Sequence, residues 1–437
     1  MDRISLLPLE IKLSILSRLR IKQAVRTSAL ARSWRHIWTH LPCLDLNSWR
    51  DPLGNTCTHH FRYFHAVSPS WIRRVHQLVS CLRGPLLLFQ LHFSAYCFFN
   101  DDHFVLLQSL LRKGGVKTLD LLFYNYPGKI HLPWFHSLRV LRLIGCHVAL
   151  PTGFRGFLRL ETLSMCFVQI SNDDINLLLC TSNNLTRLAI SNCGSLEIPL
   201  SVNLSLPLLR HLEFTINELV ENFSVVSSPC LEHAEIKYDR TDYSSQNLAR
   251  MVLRLVTSVA MVSSLKLDFD VLKCFSLVTL PFNFTFSRPK FLSFYLNVDT
   301  IDRRVYDAFL WLLRSMPFLE ELEVELKRDY YQAETDSFLM RELLVKKHDG
   351  FACLERTVTS VTIHMDTSDV NAGIEWIQFF LLNAKGLKLL KIYDVDGCDL
   401  IPSFIEELQK AEVTSSDAKV MFFNRVTDQI TNLCMND

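Results

Sequence analysis

Leu138-Arg-Val-Leu-Arg-Leu143 is followed by Leu160-Glu-Thr-Leu-Ser-Met165 and then by Leu185-Thr-Arg-Leu-Ala-Ile190, and this recurrence decides the fold. Each copy reads apolar-x-x-apolar-x-apolar. Further copies stand at Val116/Leu119/Leu121, Leu209/Leu212/Phe214, Leu231/Ala234/Ile236, Val262/Leu265/Leu267, Leu319/Leu322/Val324 and Leu387/Leu390/Ile392, with a poorer one around Leu292/Phe294. The last three positions of a copy alternate apolar, other, apolar, which is the period of a half-buried strand. One strand so short cannot bury its own apolar face, so a stack of parallel strands sharing a continuous core is expected. The middle and last apolar residues point into that core, and the residue between them faces away.

Early copies return every ~22–25 residues, inside the ~20–29 of a leucine-rich repeat. The expected fold class is therefore α/β, a solenoid of parallel strands with helices on the convex side. Later intervals lengthen, which implies insertions or extra helices. Three positions beyond the last apolar residue the repeat favours Asn or Cys, whose side chain bonds the backbone as the chain leaves its strand. Cys146, Cys193, Asn217 and Asn297 occupy that place, with Asp239 and Asp270 in two further copies. Two cysteines thereby gain a structural role and lose a reactive one.

The residues facing away include Arg142, Ser164, Ala189, Glu213, Glu235, Lys266, Glu323 and Lys391, and the strand with Glu321, Glu323 and Glu325 is locally acidic. Such a run is most often a solvated face. As contacts to a protein target, the candidates are Arg142, Glu213, Glu235, Lys266, Glu321, Glu323 and Lys391.

The chain has 437 residues, too many for one compact core and enough for two domains or an elongated repeat. With 49% hydrophobic and 21% charged residues it is not a disordered chain. Lys and Arg number 46 against 45 Asp and Glu, a net charge of +1, so no basic field recommends nucleic acid as a partner. Glycine is scarce, 13 in all, which disfavours a glycine-rich phosphate-binding enzyme. No apolar run reaches the ~18 residues of a membrane span. Charges at Asp2, Arg3, Glu10 and Lys12 interrupt what a signal peptide would need, and the 13 cysteines are scattered without a Cys-x-x-Cys pair. A reducing cytoplasmic or nuclear compartment is expected, with no membrane partner.

Residues 4–46 read as a small helical unit. Pro8 suits a helix's first turn, followed by a stripe of Ile11, Ile15, Leu16 and Leu19. A second segment carries Ala24, Val25, Ala29 and Leu30. A third places Trp34, Ile37, Trp38 and Leu41 on one face before Pro42. From periodicity alone, this heavy apolar load either fills the unit's own core or forms an interface.

The run from Ile4 through Leu7-Pro8, Glu10, Ile15, Leu16 and Leu19, then Val25, Leu30 and the pair Trp34 and Trp38, resembles an F-box of the plant F-box/leucine-rich-repeat type. The resemblance implies a three-helix F-box docking onto a Skp-type adaptor, which bridges it to a cullin ubiquitin ligase. Leu7, Pro8, Ile15, Leu19, Val25, Leu30 and Trp34 match the adaptor-contacting positions. Two residues depart from the pattern: Leu9 stands where an acid is usual and Ser33 where a basic residue is usual. The implied role is a substrate-recognition subunit without chemistry of its own, holding an unknown protein target. The alternative is a repeat scaffold acting outside the ligase, and the family also allows a small-molecule receptor.

The expected organisation is an F-box over 1–46, a linker and N-terminal cap over 47–115, repeats over 116–352, and a closing region over 353–437 that resembles the FBD type. Within the linker and cap, helical spacing is expected over Trp71–Leu82 and a strand over Leu86–Phe93. Asp299 or Thr300 is expected to cap a helix bearing Val305, Phe309, Leu312, Leu313 and Met316, and Gly386 to stand at a helix C′ position. No phosphate loop, nucleophile turn or zinc helix is present. No catalytic residue, cofactor or metal is assigned. The nearest metal-like cluster, Cys57, His59, His60 and His65, lacks a second ligand pair.

Overall fold

The computed structural model describes residues 4–47, 69–93, 109–110, 115–123, 129–195, 199–217, 219–239, 246–297, 301–327, 344, 350–365, 370–394, 408, 414–415, 417–424 and 430–433. The chain divides into two compact units, Met1–His211 with Leu219–Cys230, and Leu212–Glu218 with Leu231–Asp437.

The first unit opens with two helices, α1 (Leu9–Leu16) and α2 (Ile21–Arg26). Pro8 stands just before α1 with an extended ψ, and its carbonyl takes the Lys12 N–H at 3.1 Å. At the start of α2 the Gln23 side chain reaches back to the Arg20 N–H at 3.3 Å. The third expected helix is instead a pair of 3₁₀ turns, Arg32–Trp34 and Ile37–His40. Apolar residues spaced three and four apart satisfy either geometry, and the tighter one suits pieces this short. Leu16, Ala24, Trp34, Ile37 and Leu41 close a core against which Leu13, Ile21, Ala31 and Trp38 pack.

The strand ladder starts directly behind these turns. β1 (Cys43–Asn47) pairs in parallel with β2 (Leu88–Phe93), and β2 with β3 (Thr118–Phe123). Helix α3 (Pro69–Cys81) lies between β1 and β2 in sequence. The ladder is thus under way before position 116, where the repeat becomes legible. It continues through β4 (Lys129–His131), β5 (Val140–Ile144), β6 (His147–Ala149), β7 (Thr162–Cys166), β8 (Gln169–Ile170), α4 (Asn172–Cys180), β9 (Arg187–Ser191) and β10 (Leu200–Ser205). Of these, β3, β5, β7 and β9 join the parallel ladder, with Leu119, Leu141, Leu163 and Leu188 in register. Each strand is entered in the same way: two successive N–H groups, such as Arg139 and Val140, donate to one carbonyl of the preceding copy, here Lys117.

The return side of this unit departs from the expected helices. β4, β6 and β8 form a second small parallel sheet, and β10 pairs with the strand Val220–Ser227. Between β3 and β10 only α4 is helical among the described residues, capped by the Ser171 side chain on the Asp174 N–H at 3.1 Å. The sharp exit from β5, β7 and β9 uses a left-handed residue each time: Gly145, Phe167 and Asn192, at φ of 67°, 52° and 52°. Glycine and asparagine take that conformation readily, an aromatic residue does not. Cys146 and Cys193 follow one residue later, buried, and burial raises both thiols, Cys193 to about 12. Cys193 Sγ–H donates to the Ser191 carbonyl at 3.3 Å, a structural task.

The second unit contains β11 (His211–Ile216) from its second residue onward. With the pairing partner of β10 taken as β12, the order is β13 (His233–Tyr238), α5 (Gln246–Ser258), β14 (Ser264–Leu267), α6 (Phe269–Ser276), β15 (Phe291–Asn297), α7 (Arg303–Arg314) and β16 (Glu321–Lys327). A single π-type turn at Cys353–Thr357 precedes β17 (Ser360–Met365), α8 (Val370–Asn383), β18 (Leu389–Asp394), β19 (Lys419–Asn424) and β20 (Ile430–Leu433). β13 to β19 pair in parallel in sequence order, and β20 closes the ladder antiparallel to β19. Here the return segments from β13 to β16 and from β17 to β18 are helices, as the longer repeat interval implied.

Three local expectations are corrected in this unit. Helix α7 is capped by Asp302, which accepts the Val305 N–H at 2.8 Å, and not by Asp299 or Thr300, which lie outside the described residues. Asp270 sits inside the first turn of α6; the acid that turns the chain out of its strand is Asp268. Gly386 does not adopt positive φ. A Cβ there would stand 3.3 Å from the Val358 carbonyl oxygen and 3.4 Å from that of Arg356, a tight approach that glycine avoids.

Asp268 ties two repeats together. Its carboxylate accepts the Tyr238 N–H at 2.7 Å from β13 and the Val271 N–H at 2.9 Å at the start of α6. Desolvation raises its pKa to about 7, while the two N–H bonds and Lys237 pull downward. A folded pKa above the unfolded value means that the native state holds the proton more tightly. Its contribution to stability is therefore full below about pH 4 and is lost as pH rises through about 7. Relative to Asp268→Asn, whose side chain does not titrate, wild-type protein should lose stability across that interval and no further above it. Urea melts at several pH values read this directly.

Candidate functional site

The first candidate surface lies on the N-terminal helical unit. Leu6 is 72% and Leu30 70% exposed, and Ile4, Leu9, Ile11, Ile15 and Leu19 are exposed as well. A unit with so small a core leaves seven large apolar side chains in water. Four of them, Ile4, Leu6, Leu9 and Ile11, lie outside the adaptor-contacting positions that the resemblance implies. Their common signal was the local density of Leu and Ile over residues 4–19.

Of the singled-out positions, Pro8 is exposed together with Ile15, Leu19 and Leu30, while Leu7 and Val25 are half-buried. Trp34 is different: it is 3% exposed, within the core of the unit. The structure places it beneath the surface formed by α1. Leu9, one of the two departures from the F-box pattern, adds an exposed apolar side chain to that surface. Ser33 is exposed.

The second candidate surface is the ladder face turned away from the core. In the first unit, Arg142 is exposed on β5, in register with Asp120 on one side and Ser164 on the other. Asp120 is buried and accepts the Gln90 Nε2–H at 3.3 Å. In the second unit, Glu213 and Glu235 are brought together by Lys237, whose ammonium is 2.7 Å from Glu235 and 3.4 Å from Glu213. Burial works to lower the Lys237 pKa, but its bond to Glu235 and the field of both acids outweigh it, and the net shift is upward. Lys266 joins the same cluster, 3.9 Å from Glu235. Lys237 was not singled out from the sequence, although it stands two residues beyond Glu235 on the same strand face.

Glu321, Glu323 and Glu325 line up along β16, in register with Ser360, Thr362 and His364 of β17. The His364 Nε2–H donates to Glu323 Oε1 at 2.8 Å. His364 stacks on Tyr393 of β18 with ring centroids 4.9 Å apart, and Tyr393 stacks on Phe423 of β19 at 4.5 Å. Lys391 is half-buried in the adjacent row, between Thr362 and Met421. The row of three rings was missed because its members are a full repeat apart in sequence.

Cys57, His59, His60 and His65 lie outside the described residues. Among the described residues no group of three or more His, Cys, Asp or Glu is placed to hold a metal. No helix among them is long and apolar enough to cross a membrane.

Comparison with known proteins matches the helical unit and the middle of the strand ladder. Residues 4–46 match the F-box domain, and residues 105–324 match the family described as FBD-associated F-box protein At5g56370, LRR repeats. F-box/FBD/LRR-repeat protein At1g51370 of Arabidopsis thaliana is 24% identical over 90% of this chain and 89% of its own. Putative F-box/LRR-repeat protein At5g02930 of the same plant is 24% identical over 96% of this chain and 92% of its own. FBD-associated F-box protein At5g18780, also from Arabidopsis thaliana, is 52% identical over 46 residues, 10% of each chain. With the helical unit matching an F-box and the strand ladder matching the repeats that follow it in these proteins, the chain belongs to the F-box/leucine-rich-repeat family of FBD-associated F-box proteins.

Proposed function

We propose that this chain is the substrate-recognition subunit of a Skp-cullin-F-box ubiquitin ligase. The observation that carries the reading is the exposed apolar surface around α1 and Leu30, on the part of the chain that matches an F-box. Seven exposed large apolar residues on so small a unit are what a docking face for a Skp-type adaptor requires. Leu7, Pro8, Ile15, Leu19, Val25 and Leu30 would contact the adaptor, together with Ile4, Leu6, Leu9 and Ile11. Trp34 would support them from within.

The protein target would bind the ladder face turned away from the core, where Arg142, Glu213, Glu235, Lys266, Glu321, Glu323 and Lys391 lie. The chain would contribute no catalytic group and no cofactor. Its effect is proximity: a target held on the same molecule as the ligase experiences a local concentration on the order of millimolar. A reconstituted assay with adaptor, cullin, RING subunit and charged conjugating enzyme tests the bridge. Full-length protein should support ubiquitination of a target captured by the repeats. A full-length chain carrying Ile15→Asp and Leu30→Asp, which keeps every strand of the ladder and loses the adaptor face, should not. Strong transfer by that variant would refute the tether, and failure of the adaptor and cullin to co-purify with the wild-type chain would favour a scaffold outside the ligase.

A further inference from the structure

Lys12 is a lysine where an apolar residue would be expected. It lies one turn before the fully buried Leu16 on the inner face of α1, and is itself only 7% exposed. Burying an ammonium carries a large desolvation cost unless the charge is compensated. Among the described residues no carboxylate lies within ion-pair distance of it. Two groups compensate it instead. Its Nζ donates to the Ser5 carbonyl at 2.8 Å, and stands 5.7 Å from the ring centroid of Trp34. An ammonium over an indole face is attracted by the ring quadrupole, more so when water is excluded. A leucine at position 12 would fill the same space without the cost, so the polar contact is what the lysine adds.

That contact reaches the arm preceding α1. Residues 4–7 form a single turn in which the Leu7 N–H donates to the Ile4 carbonyl at 3.3 Å, and they carry the exposed Ile4 and Leu6. We propose that Lys12 is a positioning residue for adaptor docking: seated on Trp34, it fixes the Ser5 carbonyl and thereby pre-organises the arm bearing Ile4, Leu6 and Leu7. The proposal rests on the adaptor-docking reading above and deepens it. It also gives Trp34 an indirect part in binding despite its burial. An arm already ordered in the free chain does not have to be ordered on binding, which lowers the cost of association.

The test uses the full-length chain and a recombinant Skp-type adaptor. Lys12→Met keeps the apolar stem and removes the ammonium. It should lower adaptor affinity about tenfold, leave the melting temperature of the chain within ~2 °C, and speed amide hydrogen exchange in a peptide covering residues 4–8. Lys12→Arg, which retains a charged donor, should restore affinity to within about threefold. Should Lys12→Met fail to fold, Trp34→Phe is read in its place. It keeps a buried ring but attracts the ammonium less, and should give faster exchange at residues 4–8 with an affinity loss of about threefold. Wild-type binding with unchanged affinity and unchanged exchange in these variants would overturn the positioning role alone. No binding by the wild-type chain would overturn the docking reading and this proposal with it.

Discussion

Replacing Ile15 and Leu30 together by aspartate should lower affinity for a Skp-type adaptor by at least about 100-fold, roughly 2.7 kcal/mol, with a much smaller effect on the stability of the chain. Leu30 is 70% and Ile15 40% exposed in the free chain, so the folded state loses less than the docked state when they change. In the docked state each would be enclosed. An aspartate at either place would then be a desolvated charge without a partner, which opposes binding more strongly than a missing methyl group does. Adaptor pull-down and titration calorimetry on the full-length variant measure the effect, with thermal melts as the control. Retained binding would show that this surface is not where the adaptor sits. The same pair of changes would then leave the F-box match without a docking face to explain it.

The ladder was legible because each copy states its own strand. Leu141 and Leu143, or Leu163 and Met165, bracket a single outward residue, and the same bracket recurs at near-constant spacing. Burial follows the alternation along β5, β7, β17 and β19. The strand expected over Leu86–Phe93 is present as β2, whereas its partner β1 falls inside the stretch that reads as the F-box, although Leu44 and Leu46 bracket Asp45 as in the later copies. Helices are expected on the return side throughout, and in the second unit they are present from β13 to β16 and from β17 to β18. In the first, intervals of ~22–25 residues leave too little chain for a helix of several turns between most strands, so short strands form instead.

The candidate surfaces were legible to different degrees. Leu7, Pro8, Ile15, Leu19, Val25 and Leu30 came from a dense local motif, and the exposure of their neighbours follows from the small size of the core beneath. Trp34 illustrates what a motif alone does not reveal: the residue is in the pattern, yet its ring is inside. Lys12 is the converse, a charge that any polarity scale would place in water and that the helix turns inward. On the ladder, the partners of Glu213 and Glu323 are Lys237 and His364. Neither pairing has a local signature, because each is set by cross-strand register between copies.

Phe309→Ala should destabilise the second unit by roughly 3–5 kcal/mol, whereas Phe282→Ala should change its stability by less than about 0.5 kcal/mol. Both residues are phenylalanines of the same unit, so the contrast isolates packing from composition. Phe309 sits on α7, buried, and is in ring contact with Phe294 of β15 at 5.2 Å, Trp376 at 5.2 Å and Phe379 at 5.9 Å, the last two from α8. Its removal would open a cavity where a strand and two helices from different repeats meet. Rigid aromatic neighbours collapse into such a space only partially, which keeps the cost near the upper end for a large-to-small change. Phe282 is 97% exposed at the tip of a turn. That turn is held by other groups: the Trp311 Nε1–H donates to the Pro281 carbonyl at 3.0 Å, and Phe284 stacks on Trp311. Urea denaturation of the full-length variants, followed by intrinsic fluorescence and by circular dichroism, measures both. Because repeats contact mainly their neighbours, the Phe309→Ala loss should appear as an earlier transition of the second unit, with the first unit's transition less affected. Equal midpoints for the two variants would mean that α7 and α8 do not share the aromatic core assigned to them.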